Sequence, residues 1–195
     1  MALKAVVFDV GETLVDETGM WERAADAAGV PRFTLMGVLG GLAARGEPHS
    51  KVWEILGVEW PASTWMPDEF YADALPCLDK LRSRGLLVGA VGNMSAETEE
   101  LVREHVDLVG SAGRWGIEKP APGFFARIAA EAGVSAEEIA YVGDRVDNDV
   151  RPARAAGMVA VHIRRGPWGY LQSGTEEAHV RIDSLAELPG VLERV

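Results

Sequence analysis

The stretch KAVVFDVGETLVD, residues 4–16, decides how the rest of the chain is read. KAVVFDV is a continuous apolar run of strand length, rich in β-branched residues, that meets an acidic residue at Asp9 and turns sharply soon after it. An apolar run with no polar alternation is the pattern of a strand buried on both faces, as in a parallel sheet covered by helices. LLVGAV at 86–91, IAYVGD at 139–144 and MVAVHI at 158–163 repeat that pattern, and HVRI near residue 180 is a weaker edge candidate.

Helical patterns lie between these runs. LPCLDKLRSRG places Leu75, Leu78 and Leu81 on one face, with Pro76 near its start and Gly85 just past its end. SAETEELVREH offers Ser95 as N-cap with acidic residues in the first turn. PGFFARIAAEAG runs from Pro122 through Phe124 and Ile128 to a terminating Gly133. Strand and helix in alternation imply parallel strands joined by right-handed crossovers, so the expected fold is a doubly wound, Rossmann-like α/β sheet. Sites in such sheets gather beyond the carboxyl ends of the strands. Asp9 and Asp144 each end a predicted strand and are expected to face one crevice.

Residues 17–73 break the rhythm. They carry helical apolar spacing and four of the six tryptophans, Trp21, Trp53, Trp60 and Trp65. The expected organisation is an α/β core over 1–16 and 74–195 with a small helical domain, 17–73, inserted after the first strand. At helical and loop spacing the tryptophans read first as the core of that insert.

Composition sets the outer bounds. A chain of 195 residues with 48% hydrophobic and 25% charged residues is ordinary for a folded domain. A net charge of −11 without any long basic run argues against nucleic acid as a partner. The single cysteine, Cys77, sits in a helical apolar pattern and is expected in the core, with no disulfide framework or cysteine metal cage. No run approaches 18 apolar residues and no signal-peptide core precedes Asp9, so no membrane association and a cytoplasmic location are expected. GVLGGLAARG at 37–46 follows no strand and lacks dinucleotide-loop spacing, and His49, His105, His162 and His179 are too scattered for a histidine metal site.

Four segments occur in a recognisable order: FDVGETL, then VGN at 91–93, EKPAPGFF at 118–125 and YVGDRVDND at 141–149. Together they resemble the motifs of the haloacid dehalogenase superfamily of aspartate-nucleophile hydrolases. The resemblance spans nearly the whole chain and places the helical insert where that superfamily carries a small cap. It implies a phosphatase that uses Mg²⁺, with Asp9 as nucleophile and metal ligand and an aspartyl-phosphate intermediate. It further implies Asp144 as a metal ligand, Asp149 as its companion supporting the metal or the motif lysine, a metal-binding backbone carbonyl at Gly11, and Lys119 offsetting charge between nucleophile and phosphate. The chemistry is coherent: phosphoryl transfer spreads negative charge over the peripheral oxygens, and a divalent cation with a lysine lets a carboxylate attack that group. Mg²⁺ prefers octahedral oxygen ligands, with one or two carboxylates.

Two departures from the family pattern stand out. The second motif normally ends its strand with serine or threonine; here Gly92 and Asn93 are left to hold phosphate oxygens through their N–H groups and the Asn93 amide. Phosphatase members carry an acid/base aspartate two residues after the nucleophile, where this chain has Gly11, and such proton transfer is worth about 10² to 10⁴ in rate. Glu12 is the nearest substitute, although its side chain starts in another direction, and Asp16 reads as a junction residue. If only the proton shuttle is absent, Gly11→Asp is expected to raise the rate. Asp147 reads as a turn or cap residue, because VRPARAAGM lacks the glycine and late glutamate of a calcium loop. RRGPWG at 164–169 should reach the crevice rim, where Arg164, Arg165 or Trp168 could meet substrate.

The expected function is thus a phosphatase, slowed by Gly11, acting on a small phosphorylated metabolite. Two alternatives stand beside it: a non-catalytic phosphate-binding or interaction protein, and a 2-haloacid dehalogenase, whose branch also lacks the second aspartate of the first motif but needs no metal.

Overall fold

The structure is a computed structural model that describes residues 2–194. Its elements in chain order are β1 (Ala5–Phe8), α1 (Thr18–Ala27), α2 (Arg32–Arg45), α3 (Lys51–Leu56), α4 (Ala74–Ser83), β2 (Leu87–Gly92), α5 (Glu99–Arg103), β3 (Leu108–Ser111), α6 (Ala112–Trp115), α7 (Pro122–Ala132), β4 (Ile139–Gly143), α8 (Arg151–Ala155), β5 (Val159–Ile163), α9 (Gly166–Leu171), β6 (Val180–Ile182) and α10 (Leu188–Leu192). The strands make one parallel sheet in the order β3-β2-β1-β4-β5-β6. In that order the connections run outward in opposite directions from the β1–β4 pair, which is where an open α/β sheet opens a crevice.

Phe8 is in register with Ala90 on one side and Val142 on the other, and the N–H of Asp9 donates to the Val142 carbonyl at 2.8 Å. Asp9 and Asp144 therefore leave neighbouring strands side by side.

Strand parity builds two cores. Val6, Phe8, Val88, Ala90, Ala140, Val142, Val161 and Ile163 face one side, against Cys77, Leu78 and Leu81 of α4 and Leu188 and Leu192 of α10. Ala5, Val7, Val91, Ile139, Tyr141 and Ala160 face the other, against Phe124, Phe125 and Ile128 of α7 and Ala153 of α8. Side chains alternate across a strand, so a run covered by helices on both faces has to be apolar throughout. Burying side chains of this size stabilises the fold by roughly 1.5–3 kcal/mol each. α7 begins with Pro122 at its first turn and stops at Gly133, whose φ of 67° is the left-handed conformation that ends a helix.

Two expectations change. The sequence pattern passes over β3, because four residues containing Gly110 are too short to stand out as an apolar run. That glycine has a packing reason, since a β-carbon there would lie 2.2 Å from the Trp115 ring. The helix expected to start after Ser95 begins four residues later at Glu99; Ser95 Oγ instead accepts the Thr98 N–H at 3.2 Å and closes a turn ahead of it.

Between β1 and α4 the chain forms α1, α2 and α3, whose buried Trp21, Leu35, Leu39, Leu42 and Trp53 make a third cluster joined by Trp168 of α9. The two connections to this segment run alongside each other. Val15 bridges Phe70 in antiparallel fashion, Asp16 N–H donates to Glu69 O at 2.8 Å, and Tyr71 N–H donates to Leu14 O at 2.9 Å. Arg165 fastens both connections: it donates to Thr13 O at 2.8 Å and to the Asp73 carboxylate, and it stacks 4.1 Å from the centre of the Tyr71 ring. No helix among the described residues is long and apolar enough to cross a membrane.

Candidate active site

Beyond the carboxyl ends of β1 and β4, each of Asp9, Asp144 and Asp149 offers a carboxylate oxygen, and these atoms lie within 4.8 Å of one another. All three side chains are buried. Asp144 is placed by β4, whose terminal carbonyl region is backed by His162, with Nε2 3.0 Å from Asp144 O. Asp149 comes from a π-helical turn, Val146–Val150, that folds its side chain back beneath the strand end. Gly143 allows that return, since a β-carbon there would stand 2.3 Å from the Asp149 carboxyl carbon. Asp149 Oδ2 accepts the Arg145 N–H at 3.0 Å. Asp147 takes no part: it holds Arg145 at 2.8 Å and Gln172 at 2.9 Å, as a turn residue would.

Lys119 enters from the loop before α7, just ahead of a cis bond to Pro120. Its ammonium lies 2.7 Å from Asp9 Oδ1 and 2.7 Å from Asp149 Oδ1. Burial alone would pull its pKa down, but the charges of Asp149 and Asp9 outweigh burial and hold it well above the usual lysine value. Three carboxylates less one ammonium leave two negative charges in the cluster. Burial, then the charges of Asp149 and Asp9, push Asp144 well above the ordinary aspartate range. Burial also raises Asp149, to about 6, despite the opposing pull of Lys119. A buried all-oxygen donor set that is two charges short of neutral fits a hard divalent cation such as Mg²⁺.

At the second motif the Asn93 side chain has a partner that the sequence did not announce. Asn93 turns its side chain to the lysine segment: Oδ1 accepts the Lys119 N–H at 2.8 Å and Nδ2 donates to Lys119 O at 3.0 Å. Its amide thus positions Lys119. A β-carbon at Gly92 would lie 2.7 Å from Asp9 Oδ1, so the absence of a side chain there makes room for the Asp9 carboxylate.

Gly11 and Glu12 depart furthest from a simple reading. Glu12 adopts φ 51°, the left-handed region that glycine favours, and its buried carboxylate accepts from Glu17 N–H at 3.0 Å and Tyr71 O–H at 2.6 Å. Burial raises its pKa. Glu12 therefore ties the loop to the segment that returns from the helical insert. Asp16 accepts the Thr18 N–H at 2.9 Å at the junction.

The residue that sequence reasoning missed is Glu17. A β-carbon built on Gly11 would stand 2.2 Å from Glu17 Oε1, so this carboxyl fills the space that a side chain at 11 would take. The indole N–H groups of Trp65 and Trp21 donate to its two oxygens, each at 3.2 Å. Burial, followed by the nearby charge of Glu12, pushes its pKa up to about 8. The sequence did hold a signal: a tryptophan one helical turn after Glu17, and a side chain missing at 11. An aspartate at position 11 would meet Glu17, so the gain expected from Gly11→Asp alone is sterically opposed.

Asp9, Glu17, Asn93, Lys119 and Asp144 line a crevice of about 100 Å³, and it adjoins a cavity of about 570 Å³ walled by Met20, Trp21, Trp53, Trp60, Trp65 and Leu101. Of the four tryptophans expected as core of the insert, Trp21 and Trp53 lie in its buried cluster, Trp65 packs into the core beside α4 and Trp60 is exposed; all four wall the cavity. Glu17, Trp21, His49, Trp65 and Asn93 border both spaces. After β5, Trp168 of α9 reaches the crevice, whereas Arg165 is consumed by the connections and Arg164 pairs with Asp183 at 2.8 Å on the surface.

Residues 3–157 match a family model described as haloacid dehalogenase-like hydrolase. Over 105 residues the chain is 43% identical to a glyceraldehyde 3-phosphate phosphatase of Methanopyrus kandleri, covering 50% of this chain and 45% of that protein. A protein of the same description from Methanocaldococcus jannaschii is 32% identical over 131 residues, 64% of this chain and 57% of its own length. The chain thus spans about half the length of the curated relatives it matches. The crystal structure of a HAD phosphatase from Thermococcus onnurineus superposes with a TM-score of 0.67 at 22% identity, covering 97% of this chain and 98% of that one, and shows the fold is shared.

Proposed function

Because the chain belongs to the haloacid dehalogenase-like hydrolase family, we propose that it is a Mg²⁺-dependent phosphatase of small phosphorylated metabolites that works through an aspartyl-phosphate on Asp9. The observation that carries this reading is the convergence of Asp9, Asp144 and Asp149 around Lys119. Asp9, Asp144, Asp149 and the Gly11 carbonyl would hold the cation, which supplies charge neutralisation for the phosphoryl oxygens. Asp9 Oδ attacks phosphorus as the bond to the leaving oxygen breaks; water then attacks phosphorus and frees both phosphate and Asp9. Lys119, with its ammonium 2.7 Å from Asp9 Oδ1, faces the transferring group with positive charge. Asn93 fixes the lysine segment, and Gly92 leaves its N–H free of a side chain in the phosphate site. Residues 17–73 act as the cap, whose aromatic cavity receives the organic part of the substrate and excludes water.

The phosphatase descriptions of the two archaeal relatives support the same class of reaction. The test is hydrolysis of p-nitrophenyl phosphate with Mg²⁺. Turnover that disappears with EDTA and with Asp9→Asn is expected; turnover independent of metal, or halide release from 2-haloacids with no phosphate hydrolysis, would overturn the reading.

A further inference from the structure

We propose that Glu17, from the start of the helical insert, is the catalytic acid/base that replaces the side chain missing at Gly11. The inference rests on the phosphatase reading and adds to it the group that handles the leaving-group proton. Its basis is spatial. Oε1 of Glu17 stands 2.2 Å from where a Gly11 β-carbon would be, so the carboxyl and a side chain at 11 are alternatives for one volume. Glu17 borders the crevice that holds Asp9 and Lys119, and it also borders the aromatic cavity in which the organic part of a substrate would lie. The bond that breaks joins those two parts, so a group on the boundary is within reach of the bridging oxygen.

Orientation is fixed from three sides. Trp65 and Trp21 donate to Oε1 and Oε2, and the Glu12 carboxylate accepts the backbone N–H of Glu17. Glu12 borders the crevice but not the aromatic cavity, and its oxygens tie the loop to Glu17 N–H and Tyr71 O–H. In the first step the Asp9 oxygen bonds to phosphorus, the bridging P–O bond breaks, and the Glu17 proton passes to the departing oxygen. In the second, Glu17 takes a proton from the attacking water, whose oxygen bonds to phosphorus as the bond to Asp9 breaks. Glu17 ends protonated, ready for the next turnover.

The experiment compares the intact protein, Glu17→Gln, Gly11→Asp and the double variant Gly11→Asp/Glu17→Ala, with p-nitrophenyl phosphate and an alkyl phosphate in Mg²⁺ buffer. Melting curves are recorded alongside. Glu17→Gln is expected to lower steady-state turnover of the alkyl phosphate by about 10² or more. With p-nitrophenyl phosphate it should release a rapid burst of one nitrophenolate per active site before a slow phase, because that leaving group needs no proton while the second step still lacks its base. The double variant should recover at least tenfold over Glu17→Gln, and Gly11→Asp alone should not exceed the intact protein. Undiminished turnover in Glu17→Gln, or loss of the burst with no recovery in a folded double variant, would overturn the role of Glu17. An intact protein that hydrolyses neither ester would instead remove the phosphatase reading beneath it.

Discussion

Lys119 Nζ and Asp149 Oδ1 lie 2.7 Å apart with their side chains 2% and 1% exposed, so this pair is formed out of reach of water. Asp9 shares the same ammonium at 2.7 Å. Removing one member of a buried pair leaves the other uncompensated, at a cost of about 3–5 kcal/mol. Lys119→Met is expected to lose stability on that scale, read from the shift of a urea unfolding curve, and to lose activity. A variant as stable as the parent would mean that the carboxylates relieve one another without the lysine.

The same crowding gives Asp144 an opposite sign. Its raised pKa means that its charged form is disfavoured in the fold, chiefly by burial and then by Asp149 and Asp9. A carboxyl whose folded pKa exceeds its unfolded value stabilises the fold at low pH and loses that contribution as pH rises. Asp144→Asn is therefore expected to melt a few degrees higher than the parent at pH 8 in EDTA, and to gain nothing from added Mg²⁺. The parent should gain about 2.7 kcal/mol when the ion is present at a hundred times its dissociation constant. Equal melting responses to Mg²⁺ in both proteins would remove Asp144 from the cation site.

Glu17 supplies a pH signature of its own. Its pKa rises from 4.5 to about 8, so between those values the folded protein holds a proton that the unfolded chain has lost. Stability falls with rising pH across that window, by at most about 1.4 kcal/mol per pH unit from this one group. Metal-free Glu17→Gln should show a shallower decline in unfolding free energy between pH 5 and 8 than the parent, as measured by urea titration at each pH. Parallel profiles would show that Glu17 titrates near its ordinary value.

Asp9 and Asp144 are announced locally, as carboxylates at the ends of apolar strands, whereas Lys119 and Asp149 stand out only through the resemblance of the ordered segments EKPAPGFF and YVGDRVDND to the family's motifs. The same local signals gave the parallel sheet, apart from the short β3. What local pattern could not convey was the return path. Glu17 is eight residues from Asp9, yet it borders the crevice because the loop doubles back, with Gly11 bridging Val15 and Glu12 holding the Glu17 N–H. Arg165 looked like a substrate contact from its place after β5, but Thr13, Tyr71 and Asp73, far away in sequence, claim it. Asn93 likewise has a partner, Lys119, that only the fold brings near.

At Glu12 two effects oppose each other. Its left-handed backbone costs roughly 1–2 kcal/mol relative to an ordinary conformation, which glycine would relieve. Its carboxylate meanwhile takes two buried hydrogen bonds, each worth about 1.5–3 kcal/mol when one partner is charged. The bonds outweigh the backbone cost, so Glu12→Gly is expected to destabilise by about 1–5 kcal/mol in thermal or urea unfolding. A stabilised variant would show that backbone relief outweighs the tether.

The paired connections at Val15–Phe70 and Asp16–Glu69 carry a consequence for how this architecture diversifies. A chain that departs from a sheet and re-enters through adjoining hydrogen-bonded partners keeps its two gateposts together whatever length of polypeptide is strung between them. Specificity can then be rewritten by exchanging the excursion while the carboxylates beneath stay in place. Here the exchange has one constraint: because Glu17, the residue just ahead of the first helix, borders the crevice, a transplanted insert would have to bring its own carboxyl, or be accompanied by an aspartate at position 11.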